Sequence, residues 1–391
     1  MQLIYFHTYG GEMYNGVNKK IFAQSSQLYK LGIDFSLVLL GGVNTNYPDY
    51  KFIHYLSLKD TWFLKIKIFK KFFRQYLAKQ YIKKIIQFSG SGTILYLRYP
   101  LPLFLFPHEL HIPRNCKIIV ECNSIEMNED SKSRSYFSYY KELLLGKDYL
   151  KRCDGIVGVT DEITHYHVKV SGDLNKPHIT IGNGFEVDSV PVRQPPLNCS
   201  PDFNIVCVAD VSIWHGIDRL IQGIAHYKGP LKIQLHIVGN GAELQNLRKL
   251  SSNLALNDQI IFHGFVNHDN LDILFDQCHL AVGSLGIHRI GLSQVSILKA
   301  REYCARGIPY IIACSDPDFP EDFPYILRFP SDESPIDMDQ VVTFASSICQ
   351  DAGHPRLMRL YASENLDWSV KMKKLKVFLE DLVKEDYSNR Y

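Results

Sequence analysis

A chain of 391 residues, 46% hydrophobic and 21% charged, has the length and apolar content for two globular domains and is neither disordered nor fibrous. A formal net charge of +2 gives no global reason to expect nucleic-acid binding. Nine scattered cysteines without a CxxC pair speak against zinc or a disulfide framework and for a reducing cytoplasm, and no apolar run reaches the roughly 18 residues of a membrane span.

In chain order, short β-rich apolar runs alternate with helical periodicity, the pattern of parallel α/β layers. Met1 to Phe6 lacks a basic leader and reads as part of a first strand, Leu3–Thr8. Further strands are expected at Phe35–Leu40, Thr93–Leu97, Lys117–Glu121, Gly155–Val159 and His178–Ile181, with helices at Asn18–Leu31 and Ser133–Leu150. From 61 to 88 eight basic residues and no acid interleave with aromatics such as Phe69, Phe72 and Tyr76. That composition suits a helix lying on an anionic membrane, or a solvated helix that packs its aromatics inward. Four prolines between Val190 and Pro201 read as an interdomain linker.

The alternation then restarts. Strands are expected at Asn204–Val208, Lys232–Val238, Gln259–Phe262, His279–Gly283 and Pro309–Ala313, with helices starting near Gly216, Ala242, Asp269, Ser296 and Asp337. A basic amphipathic helix spans Trp368 to Val383. The expected domains are 1–188, a linker at 189–202, a second domain at 203–365, and a C-terminal helix at 366–391.

Three segments of the second half carry candidate chemistry. Trp214-His215-Gly216 follows a strand and opens a helix, where free backbone N–H groups would face an anion; the alternative is that the two rings pack the loop. Gly239-Asn240-Gly241 ends the next strand, either admitting a ligand or making a tight turn. Gly286 to Pro309 holds His288, Arg289, Gly291, Gln294, Lys299 and Glu302, with Ser296 as an expected cap and Gly307 as a C′ residue. Lys299 and Glu302 share a helix face and could form a surface ion pair. Asp316-Pro-Asp318 and Asp337-Met-Asp339 match an Asp-x-Asp metal pattern, but one lies in a proline-rich loop and the other opens a helix, so neither is read as a metal site.

The order of strand, glycine loop, helix with an inward Glu302, then Ala305-Arg-Gly307-Ile-Pro309-Tyr-Ile-Ile resembles the donor-site helix of GT-B glycosyltransferases, particularly the large retaining family four. That family carries two glutamates seven residues apart on this segment; here the second matches Glu302 and the first falls on Gln294. Ile181-Gly-Asn183-Gly184, Phe262-His-Gly264 and Trp214-His215-Gly216 resemble further family landmarks in the same order. The resemblance implies two Rossmann-like lobes with a central cleft and a C-terminal helix packing back toward the first lobe. It implies sugar transfer from a nucleotide diphosphate sugar to a hydroxyl acceptor, a glycan or lipid-linked glycan, with retention, no metal and no other cofactor. It assigns Lys299, Gln294 and His215 to the chemistry, and Gly216, Gly239, Asn240, Arg289, Gly291 and Glu302 to the donor. Gly10, Gly11, Asn15, Gly16, Glu121 and Asn123 fall on the acceptor side. The implied setting is cytoplasmic, peripheral at the inner membrane face through residues 61–88, without nucleic acid. A non-catalytic nucleotide-sugar-binding subunit and a sugar-nucleotide epimerase are the alternatives.

Overall fold

The computed structural model describes residues 1–8, 16–41, 50–56, 67–102, 104–110, 116–125, 136–196 and 201–388. Of the residues singled out above, Gly10, Gly11 and Asn15 lie outside it, as do residues 61–66 of the basic segment. The chain forms two units, residues 1–182 with 368–391, and residues 183–367.

In the first unit a seven-stranded parallel sheet has the order β3-β2-β1-β4-β5-β6-β7. The strands are β1 Gln2–Thr8, β2 Asp34–Leu40, β3 Ile53–Leu56, β4 Thr93–Arg98, β5 Lys117–Cys122, β6 Gly155–Gly158 and β7 His178–Thr180. The helices are α1 Gly16–Lys30, α2 Lys67–Phe88, α3 Tyr136–Arg152 and α4 Asp161–Ser171. The central strands are buried on both faces, as covered parallel strands are: Leu3, Leu37, Ile94, Leu95, Ile118, Ile119 and Ile156 are each fully enclosed. The long C-terminal helix α11, Trp368–Ser388, belongs to this unit. It buries Leu375 and Leu379, and its Lys376 Nζ donates to the Leu31 carbonyl past the end of α1 (3.0 Å).

In the second unit a six-stranded parallel sheet repeats the winding, β10-β9-β8-β11-β12-β13. Its strands are β8 Asp202–Val208, β9 Lys232–Val238, β10 Ile260–Gly264, β11 Leu280–Val282, β12 Tyr310–Ile312 and β13 Ile326–Arg328. The helices are α5 Ile217–His226, α6 Leu244–Asn253, α7 His268–Gln277, α8 Leu298–Arg306, α9 Met338–Cys349 and α10 His354–Asn365. Ile217, Leu220, Ile221 and Ile224 of α5 stand at i, i+3, i+4 and i+7 and enter one core with Ile205, Leu235, Ile237 and Val282. Burying a side chain of that size is worth about 1.5–3 kcal/mol.

In both sheets the chain runs outward in one direction through three strands, then crosses back to the other side of the first. The switch points lie between β1 and β4 and between β8 and β11, and open α/β sheets bind ligands beyond the carboxyl ends of strands at such points.

The proline-rich segment is not a free linker over its described part. Arg193 is buried: its amide donates to the Arg306 carbonyl (2.9 Å), its Nε to the Gly307 carbonyl (2.9 Å) and its Nη1 to the Cys278 carbonyl. The prolines stop regular structure, and the guanidinium fastens the resulting extended chain to the second unit.

Candidate functional site

Around the switch point of the second unit, two loops are joined by backbone hydrogen bonds. Leu285 N donates to the His215 carbonyl (3.0 Å) and Gly286 N to the Trp214 carbonyl (3.1 Å). Gly216 makes the junction possible. It sits at φ 60°, in the left-handed region, and a Cβ there would lie 2.6 Å from the Leu285 carbonyl carbon. Its residue also caps α5, so the first turn of that helix starts at the joined loops.

His215 is buried and its Nδ1 accepts the Ser212 amide hydrogen (3.0 Å), closing a capping box over the turn 213–215. That bond assigns the proton to Nε2. Burial, followed by the nearby Lys299 charge, lowers the imidazole to about 2. The ring therefore offers a neutral N–H.

Lys299 stands in the first turn of α8, and its ammonium is enclosed. Nζ hydrogen-bonds to nothing among the described residues. Desolvation lowers its pKa, countered by the Cys207 and Cys314 thiols that face it from the sheet edge. The ion pair with Glu302 that the spacing allows does not form. The Glu302 carboxylate takes Arg306 Nε across one helical turn (2.9 Å), and Arg306 also pairs with Asp272 (2.5 Å) over the Phe275 ring. The helix therefore presents a paired carboxylate at Glu302 and an unpaired cation at Lys299.

Other candidates have structural roles. Arg289 spends all five N–H donors: on Asp218 twice (2.8 and 2.7 Å), on Glu333 twice (3.0 and 2.5 Å) and on the Ile213 carbonyl (3.0 Å). These carboxylates hold its pKa up, and no donor remains for a phosphate. Gly239 and Gly241 serve neighbouring backbone. A Cβ on Gly239 would lie 2.0 Å from the Ala209 carbonyl oxygen, and one on Gly241 2.2 Å from Val211 N. Asn240 is exposed, and its carbonyl accepts Val211 N (2.5 Å). Gly291, at φ 70°, ends the short turn 287–290. Gln294 is half-buried and makes an isolated parallel bridge to Ser315.

Ser296 does not cap α8. Ile297 occupies that position, and Ser296 Oγ accepts Asn183 N (2.7 Å) while its carbonyl takes Asn183 Nδ2 (2.5 Å). Arg301, fully buried, donates to the Asn183 carbonyl (2.9 Å) and pairs with Asp316 and Asp318. Both aspartates of the Asp316-Pro-Asp318 loop thus answer an arginine, and Asp337 caps α9 through Gln340 N (3.1 Å). Gly307 ends α8 at φ 80°, as expected.

In the first unit, Glu121 at the end of β5 is buried and held by Lys20 (3.0 Å) and Gln24 (3.0 Å) of α1 and by the Tyr5 hydroxyl (3.3 Å). Lys20 Nζ also reaches Asn123 Oδ1 (2.5 Å). Burial alone would raise the Glu121 carboxyl; Lys20 and Arg98 overcome it and hold the pKa down. Gly16 is the first residue of α1. Sequence reading reached Glu121 and Asn123 but missed Lys20, Gln24 and Arg98. Two readable signals were the lysine and glutamine four apart in α1, and the alternation of Tyr96 and Arg98 along one strand face.

Two units, each a parallel sheet wound about a switch point, one of them with an enclosed lysine beside stitched loops, define the GT-B fold of glycosyltransferases. Residues 193–313 match the family described as Glycosyl transferases group 1. Among solved structures, sucrose-phosphate synthase from Thermosynechococcus elongatus superposes with a TM-score of 0.70 at 16% identity, over 98% of this chain and 100% of that one. Anabaena HepE, solved with UDP and glucose, superposes at 0.64 and 13% identity, over 97% and 100%. A relative by sequence, an uncharacterized glycosyltransferase of Methanocaldococcus jannaschii, is 24% identical over 230 residues, 57% of this chain. The match spans 55% of that relative's own length, about half.

Proposed function

We propose that this chain transfers a sugar from a nucleotide diphosphate sugar, bound at the second unit, to a hydroxyl of a glycan or lipid-linked glycan. The observation that carries this reading is the enclosed Lys299 ammonium near the β8–β11 switch point, without a hydrogen-bond partner among the described residues. A buried cation without a counter-charge is costly, and a diphosphate supplies the missing charge. The solved Anabaena relative binds UDP and glucose, which supports this class of donor.

In the reaction the bond from the anomeric carbon to the diphosphate oxygen breaks as the acceptor oxygen bonds to that carbon. The acceptor hydroxyl passes its proton to the departing diphosphate oxygen, which leaves with the electron pair of the broken bond. Lys299 faces that growing negative charge, and His215 Nε2–H and the free N–H groups in the first turn of α5 add neutral donors. Retention of anomeric configuration and independence of metal belong to the same proposal. Glu302, whose Oε2 takes no part in the Arg306 pair, accepts from the ribose hydroxyls.

Purified protein screened against nucleotide diphosphate sugars should show a melting shift with one donor and release free nucleotide with a suitable acceptor. Lys299→Met should abolish the shift. Tight nucleotide binding without turnover on any acceptor would favour a non-catalytic subunit, and donor turnover without nucleotide release an epimerase.

The helix α2 supports a peripheral membrane setting on the cytoplasmic face. Ala78, Ile82 and Ile86 are its buried face. Phe69, Phe72 and Tyr76, at i, i+3 and i+7, are exposed, as are Lys70, Lys71 and Lys84. These three rings are not buried, whereas Phe73 and Tyr81 of the same helix are half-buried. Lys79 and Lys83 are spent on Glu109 (3.2 Å each) and add no free charge. An aromatic stripe flanked by free lysines matches an anionic interface in both polarity and charge.

A further inference from the structure

The first unit has its own switch point, between β1 and β4, and the polar groups there do not cancel. Parallel register sets Arg98 of β4 against Glu121 of β5, and Tyr96 against Tyr5 of β1. Because side chains alternate along a strand, Tyr5, His7, Tyr96, Arg98 and Glu121 share one face of the sheet, at its carboxyl edge. Lys20 and Gln24 of α1 cover that face and engage Glu121.

The charge balance leaves a surplus. The Glu121 carboxylate already takes Lys20, Gln24 and Tyr5, with Lys20 neutralising it at 3.0 Å. Arg98 remains. Its Nη1 is enclosed and hydrogen-bonds to nothing among the described residues, and the same holds for Asn123 Nδ2 and the Tyr96 hydroxyl. Tyr96 is 1% exposed. Buried donors without acceptors are rare in folded proteins, since each costs about 1–3 kcal/mol. Three of them gathered at one strand edge, one on a guanidinium, describe a site whose acceptor is missing.

We infer that Arg98, with Asn123 beside it, receives an oxyanion, a phosphate carried by the acceptor molecule. Glycosyl transfer as proposed above is the premise of the word acceptor; the oxyanion site itself stands without it. A phosphate offers several acceptor oxygens to several donors, and its charge answers the guanidinium that Glu121 leaves unanswered. Lys20 acts as a positioning residue: by holding Glu121 and the Asn123 carbonyl oxygen it turns the Asn123 amide hydrogens outward for the ligand.

The phosphate has two sources, a soluble sugar phosphate or the head of a phosphorylated lipid, and two probes separate them. Glucose 6-phosphate is titrated calorimetrically into the full chain, and vesicles of phosphatidylcholine with or without phosphatidic acid are tested by flotation. Wild type should bind one of the two, and Arg98→Met should weaken that binding by about tenfold or more, the loss of one charge-assisted contact of roughly 1.4 kcal/mol. Arg98→Lys should restore part of it. Lys299→Met, which alters only the second unit, should leave it unchanged.

Equal binding by wild type and Arg98→Met would overturn the inference, as would a loss that follows Lys299→Met instead. Glucuronate binding with the same Arg98 dependence, in place of phosphate, would overturn the assignment to phosphate. The UDP melting shift serves as the fold control. Arg98→Met should keep it, and its absence from wild type and both variants would count against the donor reading while leaving the Arg98 comparison intact.

Discussion

Lys299 and Arg289 lie on neighbouring turns of one segment, and formal charge does not distinguish them. Their surroundings do. Arg289 is saturated by Asp218, Glu333 and a carbonyl, whereas Lys299 Nζ is enclosed with no acceptor among the described residues. Replacing Lys299 with Met removes a desolvated charge and keeps most of its volume. The ligand-free protein should gain about 1 kcal/mol or more in urea unfolding, while its affinity for a nucleoside diphosphate falls at least about tenfold. Arg289→Lys should do the reverse, lowering stability through lost bidentate contacts while nucleotide affinity holds within about twofold. Unfolding curves with and without UDP check both variants. If Lys299→Met destabilised the free protein and left affinity unchanged, Lys299 would be a structural residue. Gly216 is a further point of leverage, because Gly216→Ala meets both a left-handed φ and the Leu285 carbonyl carbon at 2.6 Å. It should cost about 2 kcal/mol or more of stability and loosen the joined loops.

At the scale of elements, periodicity and punctuation located most of the fold. Long apolar runs found β1, β2, β4, β5, β8 and β9 to within a residue or two, because covered parallel strands are apolar on both faces. The short strands β3 (Ile53–Leu56) and β13 (Ile326–Arg328) escaped notice, since three or four residues with a single buried isoleucine leave no period to read. The helix α4 did leave a signal, the Thr160 cap that accepts Ile163 N (3.2 Å) and the left-handed Gly172 at its end. The candidate site was legible as a segment, but pairing was not. Spacing alone could not show that Glu302 turns to Arg306 while Lys299 turns to the sheet edge, because that choice is made by residues distant in sequence. Prolines likewise announced an irregular segment without showing that Arg193 fastens it to the ends of α7 and α8 and to His354 of α10. Removing that anchor in Arg193→Ala leaves buried carbonyls at Gly307 and Cys278 unsatisfied, and should cost about 3 kcal/mol. Thermal unfolding should show the loss on the second unit, and an unchanged melting temperature would mean that water replaces the guanidinium.

At the scale of the whole molecule, the histidines among the described residues whose pKa burial lowers shape the response to acid, and they are His7 in the first unit and four rings in the second. His7 in the first unit is lowered to about 4 by burial, with Arg98 and Arg74 adding to the effect. In the second unit His215 is lowered to about 2 and His236 to about 4, and His263 and His354 shift the same way, burial being the largest cause in each. A histidine whose folded pKa lies below its unfolded value near 6.5 is neutral in both states above that pH, and contributes nothing there. As pH falls below about 6.5 the unfolded chain takes up the proton and the folded chain does not, so stability falls, by up to about 1.4 kcal/mol per pH unit for each group. The window from pH 6.5 to 5 lies above ordinary carboxylate titration; the exception is Asp316 of the second unit, which burial raises and whose proton uptake opposes the histidine trend. Calorimetry through that window should therefore show the transition of the second unit moving down in temperature faster than that of the first. His236→Gln should flatten the slope of the second unit alone, and His7→Gln that of the first. Parallel slopes for the two units, unaffected by either substitution, would mean that the buried rings gain protons on the folded protein and that their enclosure is looser than the packing indicates.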